Sequence, residues 1–295
     1  MNLLAFDTST DVMSIAVLRQ SGGSRDLSDV SDLSESGGQQ IWQHTGAGGA
    51  QASSTLIPAI LQLMQQAQLR FDQLDAVVFG RGPGSFTGLR TACSVAQGLA
   101  FGAGVPVLPV DTLLAVAEDA RYQWFASESS ARSARSAPSS SSGPSQRFQV
   151  LAVLDARMDE VYAAEYEFNS KQFIQIKEYQ LIRPENLVLR PGWCLAGNAV
   201  PVYGDRLTGG VVPDSPIPPK PPIQTPIHAL PTALAMLRLA PALLAAGQAV
   251  AADQALPVYI RDKVAKTTSE RMQEKQEKHG KQERPEKAAT ATHNA

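Results

Sequence analysis

The chain has 295 residues, 43% of them apolar, a formal net charge of −2 and two cysteines. That length calls for two domains and suffices for a substantial core, and the near-neutral charge excludes a protein that grips nucleic acid alone, since neutralising phosphates takes a basic face. Cys93 and Cys194 sit among apolar or small residues and read as reduced thiols of a cytoplasmic protein. A basic leader is missing ahead of the first apolar run. The longest apolar stretch, 230–252, contains Arg238, Pro231, Pro241 and Gln248, so neither a secretory signal nor a membrane span is expected.

In chain order, residues 3–6 form an apolar run of strand length that ends at Asp7. Residues 8–11 are turn formers and 12–18 a second strand. The stretch 21–49 is rich in Ser, Gly and Asp and has no usable period, which predicts a flexible insert over about 21–50, either a hairpin extension or disordered chain. Residues 54–69 predict a helix. Leu56, Ile57, Ile60, Leu61, Met64 and Ala67 share a face, with Pro58 in the first turn. A short strand at 76–80 then enters the run Gly80-Arg81-Gly82-Pro83-Gly84-Ser85-Phe86-Thr87-Gly88-Leu89-Arg90. A helix rich in small residues follows to 101, and a strand at 105–110 closes a βαβ unit.

A helix is expected over 112–124, with Asp111 as its N-cap, and a low-complexity insert over 126–146 that marks a domain boundary. Residues 151–155, a turn at 156–159 and a strand at 161–166 repeat the opening hairpin, with Asp155 in the place of Asp7. Mixed short elements are expected over 172–207 and irregular chain over the proline-dense 211–226. A helical region broken at Pro241 spans 230–250 and an extended piece 256–261. From 261 onward nine Lys and Arg face six Asp and Glu with no apolar stripe, which predicts a solvated charged tail.

Strand, glycine turn and helix is the arrangement that aims bare backbone N–H groups at an anion. Gly82, Gly84, Ser85, Thr87 and Gly88 are therefore candidate phosphate contacts. Asp7, Thr8, Asp155 and Arg157 join them as groups that could hold a Mg–nucleotide at the strand ends. The run is no P-loop, because Leu89 and not lysine follows Gly88, and no nucleophile elbow, because Gly84 directly precedes Ser85. The alternative is structural, and we favour it: the loop docks a helix onto a sheet, the aspartates cap their turns, and Ser85 and Thr87 cap the helix. The four histidines, His44, His228, His279 and His293, include no pair at ligand spacing, so no metal site and no catalytic residue is expected.

The paired aspartate-ended hairpins and the glycine turn resemble the actin/sugar-kinase/Hsp70 (ASKHA, ribonuclease H-like) superfamily. Within it, four blocks are similar to the TsaB (YeaZ) family: Phe6-Asp7-Thr8-Ser9-Thr10, the glycine run continued through Ala100, Leu154-Asp155-Ala156-Arg157-Met158-Asp159-Glu160-Val161-Tyr162, and Pro257-Val258-Tyr259-Ile260-Arg261. They fall in order across 3–262. The resemblance implies an α/β fold of two actin-like domains, 1–125 and 147–262, each a mixed sheet flanked by helices, with a cleft between them, an insert at 126–146 and a tail at 263–295.

It further implies a non-catalytic partner of a TsaD-like catalytic subunit. A TsaE-like ATPase acts with the pair, and together they form N6-threonylcarbamoyladenosine at position 37 of tRNAs reading codons that begin with A. On this reading tRNA is reached through the complex, no cofactor is intrinsic, and ATP with Mg²⁺ enters at the assembly interface only. The isolated chain could pair with a second copy. The partner surface is placed on the helices 54–69 and 85–101, with Leu61, Met64, Arg90, Ala92 and Ala96 as candidates. Family members often carry a histidine where this chain has Ala52. The competing readings are a small-molecule kinase of the same superfamily, for which the second half offers only 192–197 as a loop, and a metallopeptidase, which lacks its ligands.

Overall fold

A computed structural model describes residues 1–20, 38–133, 147–208 and 226–261. The remaining stretches, which include most of the two expected inserts, the proline-dense loop and the charged tail, lie outside the described residues. Residues 1–260 form one compact unit, and Arg261 is the only described residue of the second, 261–295.

The first sheet has the order β3-β2-β1-β4-β5, built from β1 (Asn2–Asp7), β2 (Val12–Gln20), β3 (Gln39–Ala47), β4 (Ala76–Gly82) and β5 (Val107–Asp111). The pairs β1/β2 and β2/β3 are antiparallel; β1/β4 and β4/β5 are parallel. The second sheet, β8-β7-β6-β9, comprises β6 (Arg147–Arg157), β7 (Glu160–Asn169), β8 (Phe173–Ile182) and β9 (Cys194–Gly197). It has the same plan, an antiparallel three-strand meander with a parallel strand laid beside its first member. The echo between the two hairpins thus extends to four strands of each sheet, with β5 added to the first.

β1 is buried on both faces, which is why it reads as a continuous apolar run. Leu4 and Phe6, with Ile15, Val17, Val77 and Phe79, face α1 (Ala52–Gln66) and α2 (Phe86–Ala103). Leu3 and Ala5, with Ala16, Leu18 and Val78, face α6 (Ala233–Ala245). α3 (Thr112–Ser133) leaves the first sheet and lays Leu113, Val116, Ala117 and Ala120 against Phe148, Val150, Ala152 and Leu154 of the second. The long helices are therefore exchanged: α3 packs on the sheet that follows it, and α6 returns to the sheet that opened the chain. Glu118 of α3 fastens them, accepting from Arg121 at 2.6 Å and from Arg238 of α6 at 2.7 Å, with all three side chains buried. Two short helices, α4 (Val200–Tyr203) and α5 (Asp205–Thr208), supply Tyr203 and Leu207 to the outer face of the second sheet.

Several expectations change. Of the two readings of 21–50, residues 39–47 follow the hairpin extension: they form edge strand β3, paired with β2 along its whole length. α3 continues to Ser133, into the stretch expected to be irregular. α1 begins at Ala52, so Pro58 lies in its second turn, and α6 runs through Pro241 without a break. Residues 173–182 form one ten-residue strand, β8, in place of mixed short elements.

Candidate functional site

Asp7 ends β1 at the centre of the first sheet and is fully buried. Its Oδ1 accepts from the backbone N–H of Ser9 at 2.8 Å and from the Ser9 hydroxyl at 2.7 Å. Its Oδ2 has no hydrogen-bond partner. Burial drives the carboxyl pKa up from the usual 3.8 to about 7, against the downward pull of the two Ser9 bonds. Gly80 forms the wall in front of Oδ2, since a Cβ there would lie 1.8 Å from that oxygen.

The glycine loop closes over the β1–β2 turn. A Cβ at Gly84 would meet Ser9 Cβ at 2.6 Å, and one at Gly88 would sit 1.9 Å from the Thr8 carbonyl oxygen. Only glycine permits that approach of two backbones. Hydrogen bonds seal the joint. Ser85 N–H donates to the Ser9 carbonyl at 2.7 Å, Thr8 hydroxyl to the Gly88 carbonyl at 2.7 Å, and Gly82 N–H to Thr112 Oγ1 at 3.0 Å. From the other side Val258 N–H donates to the Arg81 carbonyl at 2.7 Å. The amides of Gly82 and Ser85, proposed for an anion, are bonded to this chain's own oxygens. Ser85 is the N-cap residue of α2, yet its side chain makes no cap bond, contrary to expectation. Asp111, expected to cap α3, turns its carboxylate to Arg81 Nε at 2.5 Å.

Asp155 occupies the matching place in the second sheet, and its surroundings differ. Its Oδ1 accepts from the Tyr203 hydroxyl and from Arg157 N–H, each at 2.8 Å, while its own N–H donates to Asn198 Oδ1 at 2.9 Å. The β6–β7 turn carries three consecutive left-handed residues, Arg157 (φ 62°), Met158 (φ 56°) and Asp159 (φ 59°). The Arg157 guanidinium reaches Asp11 of the first turn and lies 3.5 Å from Asp155 Oδ2. Neither Tyr203, Asn198 nor Asp11 was singled out from the sequence. Each is an ordinary polar residue whose partner lies more than forty positions away.

On the helices, Met64, Ala92 and Ala96 are not surface residues: they pack into the core between α1, α2 and the first sheet. The small side chains of α2 serve its approach to its own sheet. Leu61 is 51% exposed and Ile57 46%. Arg90 is exposed too, with its guanidinium 3.8 Å from the Phe86 ring centroid and its Nε donating to the Tyr259 hydroxyl. Gly98 and Gly102 of α2 face open space, beside a groove of about 390 Å³ shared with Arg70, Phe71 and Leu99.

Among the described residues no group of three His, Cys, Asp or Glu could hold a metal ion, and no helix is long and apolar enough to cross a membrane. His44 lies on β3 opposite Ile15, and Ala52 is buried at the start of α1. Both cysteines are free and buried, and burial raises both thiols, Cys194 to about 11.

A family model described as "TsaD: tRNA N6-adenosine threonylcarbamoyltransferase" matches residues 39–281. The chain is 30% identical over 279 residues to the tRNA threonylcarbamoyladenosine biosynthesis protein TsaB of Haemophilus influenzae, covering 90% of this chain and 95% of that one. It is 27% identical to the protein of the same name in Escherichia coli K12, over 90% and 96% of the two chains. Among solved structures, YeaZ from Pseudomonas aeruginosa superposes with a TM-score of 0.65 at 28% identity, over 88% of this chain and 99% of that one. The glycine loop, the two hairpins and the end-to-end match agree: the chain belongs to the TsaB (YeaZ) family, and the TsaD family model spans most of its length.

Proposed function

We propose that this chain is a non-catalytic subunit of the bacterial assembly that forms N6-threonylcarbamoyladenosine at position 37 of tRNAs reading codons that begin with A. The observation that carries the reading is the end-to-end likeness to chains named as tRNA threonylcarbamoyladenosine biosynthesis proteins. In it the chain pairs in the cytoplasm with a TsaD-like catalytic subunit and meets a TsaE-like ATPase. It touches tRNA through the complex, and ATP with Mg²⁺ enters only where subunits meet. The two sheets of like plan are two actin-like domains, divided near 126–146, with a cleft between them and their long helices exchanged.

A partner role also suits the chemistry of the first hairpin. A nucleotide at Asp7 would need a carboxylate oxygen open to a metal ion, and the free oxygen here is walled in by Gly80. Leu61 and Ile57 on α1, with the open glycine side of α2, offer apolar area that a partner helix could cover. The test is copurification with the TsaD-like subunit of the same organism, together with nucleoside analysis of tRNA from a strain in which this chain replaces the resident TsaB. The reading requires a stable complex and restored modification. A chain that binds Mg–ATP tightly by itself and fails to restore the modified nucleoside would favour a kinase.

A further inference from the structure

We propose that Arg157 is a latch between the two sheets, tying the β6–β7 turn to the β1–β2 turn, and that its release loosens the first turn while both cores stay closed. The contact runs from the Arg157 guanidinium to the Asp11 carboxylate, across 146 positions of chain. Three features build it. First, the register of β6 against β7 shifts between Asp155 and Arg157, which takes Arg157 out of the strand pleat. Second, Arg157, Met158 and Asp159 all hold positive φ without being glycine, a conformation that persists only where surrounding contacts enforce it. Third, the contacts that enforce it are present. Asp155 accepts from Arg157 N–H and is itself held by the Tyr203 hydroxyl, while Asp159 pairs with Arg206 at 3.1 Å, and Arg206 pairs with Glu185. A polar ladder thus fixes the turn to the second sheet, and the Arg157–Asp11 contact reaches from it to the first.

That strut is weak because of its surroundings: the two side chains are 67% and 79% exposed, so water and salt compete for it. Asp11 shares the β1–β2 turn with Thr8 and Ser9, which the glycine loop holds. Release of the latch loosens the Asp11 end of that turn.

The test is hydrogen exchange on the full chain, read at amides that report on the first turn: Val12 N–H, bonded to Thr10 Oγ1, and Gly48 N–H, bonded to the Asp11 carbonyl. Arg157→Gln and Asp11→Asn should each speed exchange there by about two- to fivefold, the range an exposed ion pair commands. The double variant should add nothing, and 1 M NaCl should reproduce the effect in the wild type. Core amides of β1 and β6 should keep their rates. Unchanged turn amides in Arg157→Gln, or effects of the two single variants that multiply in the double, would overturn the latch. Faster exchange throughout both sheets would overturn it as well, since Arg157 would then be a general stabiliser.

Discussion

Asp7 and Asp155 close the first strand of two sheets of like plan, yet their carboxylates meet different partners. Asp7 is sealed: glycine backbone on one side, the Ser9 donors on the other, and an oxygen without a partner. Asp155 is the root of an ionic ladder that reaches the surface through Arg157. The difference traces to the chain that leaves the neighbouring parallel strand, β4 in one sheet and β9 in the other. In the first sheet a glycine loop and α2 cap the strand ends. In the second, β9 ends at Gly197 and passes into short α4, and side chains cover the aspartate, Tyr203 from α4 and Arg157 from the turn. One local motif, an aspartate closing a strand before a tight turn, becomes a buried joint or a charged hinge according to the element laid over it.

The largest expected effect lies at the sealed end. With its pKa raised, Asp7 favours the folded state when protonated. Its contribution is fully present below the unfolded value of 3.8 and is lost as pH climbs through about 7. A rise of that size corresponds to about 4 kcal/mol of stability given up across that window. Asp7→Asn should flatten the dependence of unfolding free energy on pH between roughly pH 4 and 7, measured by urea titration at each pH. A slope in Asp7→Asn as steep as in the wild type would contradict the sealed carboxyl.

Next come the glycines of the joint. Gly88→Ala forces a Cβ into the Thr8 carbonyl and should cost several kcal/mol, with a fall of many degrees in Tm. Gly98→Ala sits on the open face of the same helix with nothing within 4 Å of the added carbon, and should stabilise by up to about 1 kcal/mol through helix propensity alone. A thermal melt of the two variants side by side separates backbone contact from mere conformational freedom. Ala92→Glu belongs with the first kind. It buries a charge between α2 and its own sheet and should unfold the chain, so it cannot report on a partner.

Most of the first sheet was legible because its strands are apolar on both faces and its helices carry one apolar face. Two of the edge strands, β3 and β8, were not. β3 is exposed along most of its length and β8 along its first half, so neither shows the two-residue alternation that marks a half-buried strand. The exchange of α3 and α6 was hidden for another reason: an apolar stripe says that a helix packs, not which sheet receives it. At the candidate site, the glycines and both aspartates stood out as residue types. Which of them lay open did not, because burial of Asp7 is decided by Gly80, more than seventy positions away, and by Met236 behind it. The small residues of α2 misled in the same way, since Ala92 and Ala96 look alike whether they receive a partner helix or their own sheet.

The central claim is that the chain acts through its outer helix surface and uses the Asp7 end as a structural joint. Leu61→Glu and Asp7→Asn, compared in one assay, test it most directly. Each variant is copurified with the TsaD-like subunit and scored for modified nucleoside in tRNA, with circular dichroism to confirm the fold. Leu61→Glu should stay folded and lose both the complex and the modification, while Asp7→Asn keeps both. A folded Leu61→Glu that still assembles and modifies tRNA, beside a folded Asp7→Asn that does neither, would contradict the account.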